Sequence, residues 1–421
     1  MLFFYIKPLT TQHTGAILMP MTYNFDVRVD RRNTDSLKYD GAESVFGKKD
    51  IIPLWVADMD FSTAQPVIDA ICKRAKSGIY GYTLRPSSYF ESVRDWQKKR
   101  NGWLFDTALA SFCPGVVPAL AAVISEFSRE GQTVLFFTPV YSEFFNATKN
   151  CGRLPLTVPL TQRDGGIIDI DFDAFEKALQ KKPALFILCH PHNPLGRVWK
   201  RSELEKIDEL CRRYKVPVVS DEIHSDIMLW GNKHIPFASI GPEAAANTIT
   251  CTSATKTFNL AGLQACTIIF PDKASKEKFD SFWHRVAIGM PNCFGALATE
   301  IAFREGEEWL EQLLRYIEGN VRFVKNYLDA KIPEIKTYVP QGTYLMWLDC
   351  RALGMKGDEL CDFIVNEARL GLNDGRSFGA QDGYLRLNVA CARSVLEEAL
   401  ARLEKAVEKK TKIILHGGEC V

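Results

Sequence analysis

The amino-acid sequence predicts an α/β protein, with a large domain built on a mostly parallel sheet covered by helices and a smaller α+β domain following it. Three observations carry that expectation. Short continuous apolar runs recur between about residues 133 and 270 with helical segments between them, as in a parallel sheet buried on both faces. Several of these runs end in polar loops, and the carboxyl ends of strands are where open α/β sheets collect ligands. After about residue 305 the pattern changes to one long amphipathic helix and then alternating strands.

Taken in order, "PALAAVISEFSREG" (118–131) reads as a helix, with Pro118 suited to its first turn and Gly131 to its stop. "TVLFFTPV" (133–140) and "RLPLTVPL" (153–160) read as strands, and "ALFILCHPHNP" (184–194) as a buried strand running into a loop. An amphipathic helix over about 201–215 leads to "VPVVSDEIH" (216–224), a strand with an acidic end. "NTITCTSATK" (247–256) and "QACTIIF" (264–270) close the series. The long helix "EEWLEQLLRYIEGNVRFVKNYLDA", the strands "TYLMWLDC" and "YLRLNVA", and a helix over about 394–409 make the second unit, whose lysine-rich end "EKKTKII" reads as a solvated helix terminus. The expected division is a large domain over 61–304 and a small one over 305–421. Residues 22–60 are expected to pack with the small domain, and residues 1–21 to form a disordered tail, or an upstream extension if translation starts at Met19 or Met21.

Composition narrows the class of function. With 52 basic and 51 acidic residues the formal net charge is +1, so neither nucleic acid nor an anionic membrane is an expected partner. No stretch reaches the roughly 18 apolar residues of a membrane span. The twelve cysteines show no CxxC or zinc-ligand spacing, and several lie in apolar runs, as Cys189 and Cys251 do. That pattern predicts buried free thiols in a reducing cytoplasm. His190 and His192 have no accompanying carboxylate or cysteine cluster, so no metal site is expected.

Three polar residues sit at strand ends: Asn193, Asp221 and Lys256. An aldehyde cofactor held as a Schiff base needs a lysine amine, and a pyridine ring used as an electron sink needs a carboxylate to keep its nitrogen protonated. Lys256 and Asp221 suit these roles; Asn193 can orient a ring hydroxyl, and Tyr141 in "TPVYSEFF" can cover the cofactor's open face. Gly115 and Val116 in "CPGVVPAL" stand ahead of a helix, where backbone N–H groups hold phosphate, and Ser253 can add a hydroxyl. Arg386, inside an apolar strand, is costly without an anion, and a substrate carboxylate is its natural bidentate partner. His224 and, weakly, Ser377 are placed near the pocket, His224 either as a lining histidine or with a direct role.

"HPHNPLGRVW", "SDEIH", "SATKTFNLAGL" and "YLRLNVACARS" together resemble the ordered signature of fold-type I pyridoxal-phosphate enzymes, the aspartate-aminotransferase superfamily. Intervals of 28 residues (193 to 221) and 35 (221 to 256) join the first three. "PLWVADMDF", "YGYTLRP" and "GTYLMWLD" extend the likeness from about 22 to 410, and its details resemble the cystathionine β-lyase (C–S lyase) branch, the MalY/PatB type. The resemblance implies pyridoxal 5'-phosphate as cofactor and a homodimer with shared active sites, in which Tyr82 reaches the phosphate of the neighbouring subunit's cofactor. His224 stands where the wider superfamily commonly has Tyr, Gln264 where it often has Arg, and "GLNDGRSFG" differs from its usual Pro-Gly loop. These departures fit the lyase branch. The expected reaction is α,β-elimination of L-cystathionine or a related S-substituted cysteine to a thiol such as homocysteine, pyruvate and ammonia, with Lys256 as base. Its rivals are an aminotransferase of class I/II and a regulatory or binding protein on the same fold.

Overall fold

The computed structural model describes residues 21–162, 168–288 and 290–416. The expected N-terminal tail lies outside these residues apart from Met21. A seven-stranded sheet runs in the order Ala110–Cys113, Cys266–Ile269, Thr248–Thr252, Val218–Asp221, Leu185–Cys189, Thr133–Thr138, Leu154–Pro159. Only Cys266–Ile269 is antiparallel to its neighbours, so six strands share a direction and bring their carboxyl ends to one edge. Four central strands are buried at almost every position, which is why they read as unbroken apolar runs rather than alternating ones. The chain belongs to the α/β class that its sequence predicts.

One local reading needs correction, and one strand had no reading. The helix expected over 118–131 is Val116–Phe127. Its last turn is closed by Ser128, whose hydroxyl bonds back to the Ile124 carbonyl, and by Arg153, which donates to the carbonyls of Ser125 (3.1 Å) and Ser128 (2.6 Å). Gly131, at φ +78°, belongs to the following turn. The four-residue strand Ala110–Cys113 carries too short a pattern to announce itself; its antiparallel pairing with Cys266–Ile269 makes it a strand.

A second sheet, Lys336–Thr337, Leu345–Asp349, Tyr384–Asn388 and Asn373–Asp374, is covered by the helices Glu307–Lys331 and Arg393–His416. The 25-residue helix buries Trp309, Leu310, Leu313, Leu314, Ile317, Val321, Val324 and Leu328, a three-to-four-residue repeat that gives it one apolar face. Ile52–Pro53 pair in parallel with Leu370–Gly371, tying the N-terminal segment to this part of the chain. No helix among the described residues is long and apolar enough to cross a membrane. The described cysteines are free thiols, most of them buried.

The N-terminal segment is fastened by buried charge. Arg31 grips Asp58 through both Nη atoms (3.1 and 2.7 Å) and reaches Asp60 at 2.8 Å. Asp60 also accepts from Lys38 Nζ (3.0 Å) and Tyr39 (2.9 Å), and Lys38 is 0% exposed. Two cations balance two carboxylates, and Lys38 and Asp60 are shut from solvent, so removing Asp60 leaves the buried Lys38 with Asp58 alone, 3.6 Å away. Asp60→Ala is expected to cost about 3–5 kcal/mol of unfolding free energy, read from a urea midpoint.

Candidate active site

The shared strand direction gathers the polar strand-end residues. Asp221 ends its strand, Asn193 follows Cys189, Tyr141 follows Thr138 as the N-cap of Ser142–Asn150, and Lys256 lies in the short helix Ala254–Thr257 after Thr252. Arg386 comes from the second sheet and bonds Asn193 Oδ1 across the junction at 3.1 Å. Asp221, Asn193 and Arg386 are buried, and Asp221 lies in register between Cys189 and Cys251 on the adjoining strands.

Each charge carries the mark of that burial. Desolvation, then the charge of Arg386, lowers the Lys256 amine to about 8, against the smaller opposing pull of Asp58 and Asp221. Burial raises the Asp221 carboxyl to about 7, with Glu222 adding to the rise and the Ile223 N–H (3.2 Å) and Lys256 opposing it. Arg386 falls to about 10 through burial and still stays charged at neutral pH. Tyr141 is raised to about 12, mainly by burial. His224 drops to about 3, first from burial and then from Lys256 and Arg386, so it is a neutral ring; it packs edge-on to Tyr344 at 6.0 Å.

Arg386 also donates to Trp55 O (2.6 Å) and Asn373 Oδ1 (2.7 Å), while its Nε has no partner. Among the described residues no carboxylate pairs with it. A buried guanidinium held only by neutral oxygens is poised for an anion. The helix Val116–Phe127 opens at Gly115, and its first-turn N–H groups have no intrahelical acceptor. Ser253 Oγ accepts from Thr255 N (3.0 Å) and donates to Ala265 O (2.7 Å), so it already serves as a helix cap.

Other sequence-selected residues stand apart. Tyr82 is 96% exposed on this single chain. Ser377 is exposed and bonds Asp374 O at 2.7 Å. His190 and His192 bond the carbonyls of Ile235 (3.1 Å) and Pro139 (2.7 Å). Gln264, at φ +52°, lines a separate cavity of about 360 Å³ with Arg85, Phe112 and Pro114.

The sequence reading missed the shelf over the pocket. From Trp55 to Met59, successive carbonyls accept from Arg386 (Trp55 O), Asn388 (Val56 O, 2.7 Å), Lys256 Nζ (Ala57 O, 2.6 Å), Asn388 again (Asp58 O, 2.6 Å) and Asn259 (Met59 O, 2.9 Å). Tyr344 OH shares Ala57 O at 2.9 Å. One signal was available: two aspartates inside the apolar run "PLWVADMDF", which need cations such as Arg31 and Lys38 upstream.

A mostly parallel sheet with a partly buried lysine and a buried carboxylate at its carboxyl edge, met there by a buried arginine from the second sheet, defines an enzyme of the aminotransferase kind. Residues 49–403 match the family model for aminotransferase class I and II, and the chain belongs to that family. It is 40% identical over 386 residues to the cystathionine beta-lyase PatB of Bacillus subtilis (strain 168), covering 91% of this chain and 100% of PatB. It is also similar to cystalysin from Treponema denticola, whose crystal structure contains pyridoxal 5'-phosphate (TM-score 0.89, 36% identity, 92% of this chain and 100% of that one). The PLP-bound C–S lyase from Staphylococcus hominis matches at TM-score 0.86 with 31% identity over 92% of this chain and 98% of that one.

Proposed function

We propose that this chain is a pyridoxal-phosphate-dependent carbon–sulfur β-lyase that cleaves L-cystathionine, or a related S-substituted cysteine, by α,β-elimination to a thiol such as homocysteine, pyruvate and ammonia. The observation that carries the reading is the meeting of Lys256, its amine lowered to about 8, with Arg386, a buried cation that bonds only neutral oxygens among the described residues. The donor set fits the cofactor: an amine for its aldehyde, a carboxylate for its ring nitrogen, a neutral amide for its ring oxygen and a helix N-terminus for its phosphate. When bound, pyridoxal phosphate supplies the aldehyde that captures the substrate amine and the ring that accepts the electron pair left at Cα.

The chain's own residues do the rest. Lys256 holds the cofactor until the substrate amine takes its place, and is then the base for the Cα proton. Asp221 keeps the ring nitrogen protonated, Asn193 orients the ring, Tyr141 covers its face, and Gly115, Val116 and Ser253 address the phosphate. Arg386 exchanges neutral oxygens for the substrate α-carboxylate and so fixes which Cα bond faces Lys256. The neutral His224 ring lines the pocket without adding charge. Elimination follows when the pair that deprotonation leaves at Cα becomes the second Cα–Cβ bond and the sulfur departs from Cβ with the C–S bonding pair. Water then hydrolyses the released aminoacrylate to pyruvate and ammonia.

In this reading residues 61–304 form the cofactor domain, and 22–60 pack with 305–421, as the pairing of Ile52–Pro53 with Leu370–Gly371 supports. A homodimer belongs to the same proposal: exposed Ile79, Tyr82 and Leu84 form an apolar strip suited to burial against a second copy, with Tyr82 at that copy's phosphate. Buried free thiols suit a reducing, cytoplasmic setting.

The test is the cofactor-loaded protein with L-cystathionine and no 2-oxo acid, following pyruvate and free thiol together. Sustained, equal release supports the lyase. Turnover only when a 2-oxo acid is supplied, with amino-group transfer, makes it an aminotransferase. Cofactor attached at Lys256 without either reaction across several β-thio amino acids makes it a binding or regulatory protein. Asp221→Asn is expected to weaken pyridoxal-phosphate affinity by about tenfold or more, read by equilibrium titration.

A further inference from the structure

One oxygen of the Trp55–Met59 shelf is held by two donors. Ala57 O accepts from Lys256 Nζ at 2.6 Å and from the Tyr344 hydroxyl at 2.9 Å. Lys256 must leave this oxygen in any reaction that uses its amine. Tyr344 has no such call on it: its side chain is 0% exposed and packs edge-on to His224 at 6.0 Å. Burial, then the charge of Asp58, pushes its phenol well above the ordinary tyrosine range, so the hydroxyl keeps its proton and stays a donor.

The backbone that presents Tyr344 is strained. Thr343 has φ +67°, a left-handed conformation that β-branched residues rarely adopt. It is held there by its own N–H on Ile227 O (2.8 Å) and by Leu345 N on its Oγ1 (3.2 Å). Gly342 before it has no room for a side chain, since a Cβ would lie 2.9 Å from Ile227 O. Backbone strain fixed this firmly, one residue from a group that bonds beside the lysine, points to a function for that group.

The chemistry of attachment supplies one. When a neutral amine condenses with an aldehyde, its nitrogen forms a C=N double bond to the aldehyde carbon. Both amine hydrogens leave with the aldehyde oxygen as water. Lys256 then gives up the hydrogens with which it donates to Ala57 O, and a carbonyl left without a donor away from water is unfavourable.

We propose that Tyr344 is a positioning residue for the attachment of Lys256: its hydroxyl keeps Ala57 O hydrogen-bonded while the amine is away on the cofactor. This rests on Lys256 being the residue to which pyridoxal phosphate attaches. Tyr344 acts through the shelf carbonyl, and it favours the attached state over the free one.

The experiment compares equilibrium dissociation constants of the cofactor-free full chain for pyridoxal phosphate and for pyridoxine 5'-phosphate, whose alcohol replaces the aldehyde and cannot attach. The variants are Tyr344→Phe, Lys256→Ala and the two together. Phe keeps the ring and removes only the hydroxyl, and in the cofactor-free chain Ala57 O still has Lys256. Tyr344→Phe is expected to bind pyridoxal phosphate about tenfold more weakly, with its affinity for pyridoxine phosphate within about twofold of wild type. In the Lys256→Ala background the same substitution is expected to change neither affinity, because no amine then leaves Ala57 O. Equal weakening for both ligands shows a merely structural role and overturns the proposal, as does unchanged binding of the aldehyde. A Tyr344→Phe chain that fails to fold overturns it too, since the hydroxyl would then be needed before any cofactor arrives. Wild-type protein that binds both ligands equally, and loses nothing in Lys256→Ala, refutes attachment at Lys256 and the proposal with it, an outcome distinct from the others.

Discussion

Lys256→Ala is expected to reduce the rate of β-elimination by about 10²–10⁴-fold, the range for losing a positioned general base, and to abolish covalent attachment of pyridoxal phosphate. Added methylamine should restore part of the rate if the missing group is only an amine. The wild-type pH dependence follows from the same residue. Attachment to the aldehyde uses the neutral amine, and burial has brought the Lys256 amine to about 8. The rate of attachment to the cofactor-free protein should therefore climb about tenfold per pH unit from 6 toward 8 and level off above 8. The check is stopped-flow absorbance on mixing with pyridoxal phosphate. A plateau near the ordinary lysine value would refute the claim that this amine is desolvated.

Arg386→Leu carries the second large effect. Losing one partner of a buried charge pair costs about 2–5 kcal/mol, which at 1.4 kcal/mol per tenfold is roughly 30- to 4,000-fold in kcat/KM. Most of the loss should appear in KM, with cofactor affinity within a few-fold of wild type. Arg386→Lys keeps the charge but not the fork that meets a carboxylate with two parallel bonds, so it should recover only a small part of the loss. The Arg386 charge is also the second cause, after burial, of the low Lys256 basicity. The attachment plateau should accordingly move to higher pH in Arg386→Leu. If kcat/KM falls without that movement, Arg386 and Lys256 are less closely coupled than their shared pocket implies.

Much of the site could be read from the chain because its chemistry sits where local pattern is strongest. A buried parallel strand is a continuous apolar run, and the polar residues that close it are conspicuous: Asp221 at the end of "VPVVSD", Asn193 at the end of "ALFILCHPHN". Arg386 was visible for the complementary reason, as a charge inside "YLRLNVA". Ser253 shows the limit of such reading. A hydroxyl three residues before the lysine suits a phosphate, and local pattern does not announce that the same hydroxyl also caps the helix carrying Lys256, donating to Ala265 O and accepting from Thr255 N. Tyr82 shows another limit: it is 96% exposed on the single chain, and the role proposed for it needs a second subunit, which no local pattern announces.

By itself the sequence determined the α/β class and the succession of elements from about residue 110 onward, and it singled out the lysine, carboxylate, amide and arginine of the candidate site, because each is written in a period or a burial cost spanning a few residues. Tertiary structure alone decided which distant segments meet. The Trp55–Met59 shelf joins Lys256 to Ala57 across 199 residues and Arg386 to Trp55 across 331. It also decided that one antiparallel strand lies between Ala110–Cys113 and Thr248–Thr252. Such contacts depend on strand order and on the packing of one sheet against another. Those are settled by the burial of whole faces, which no short stretch of residues encodes.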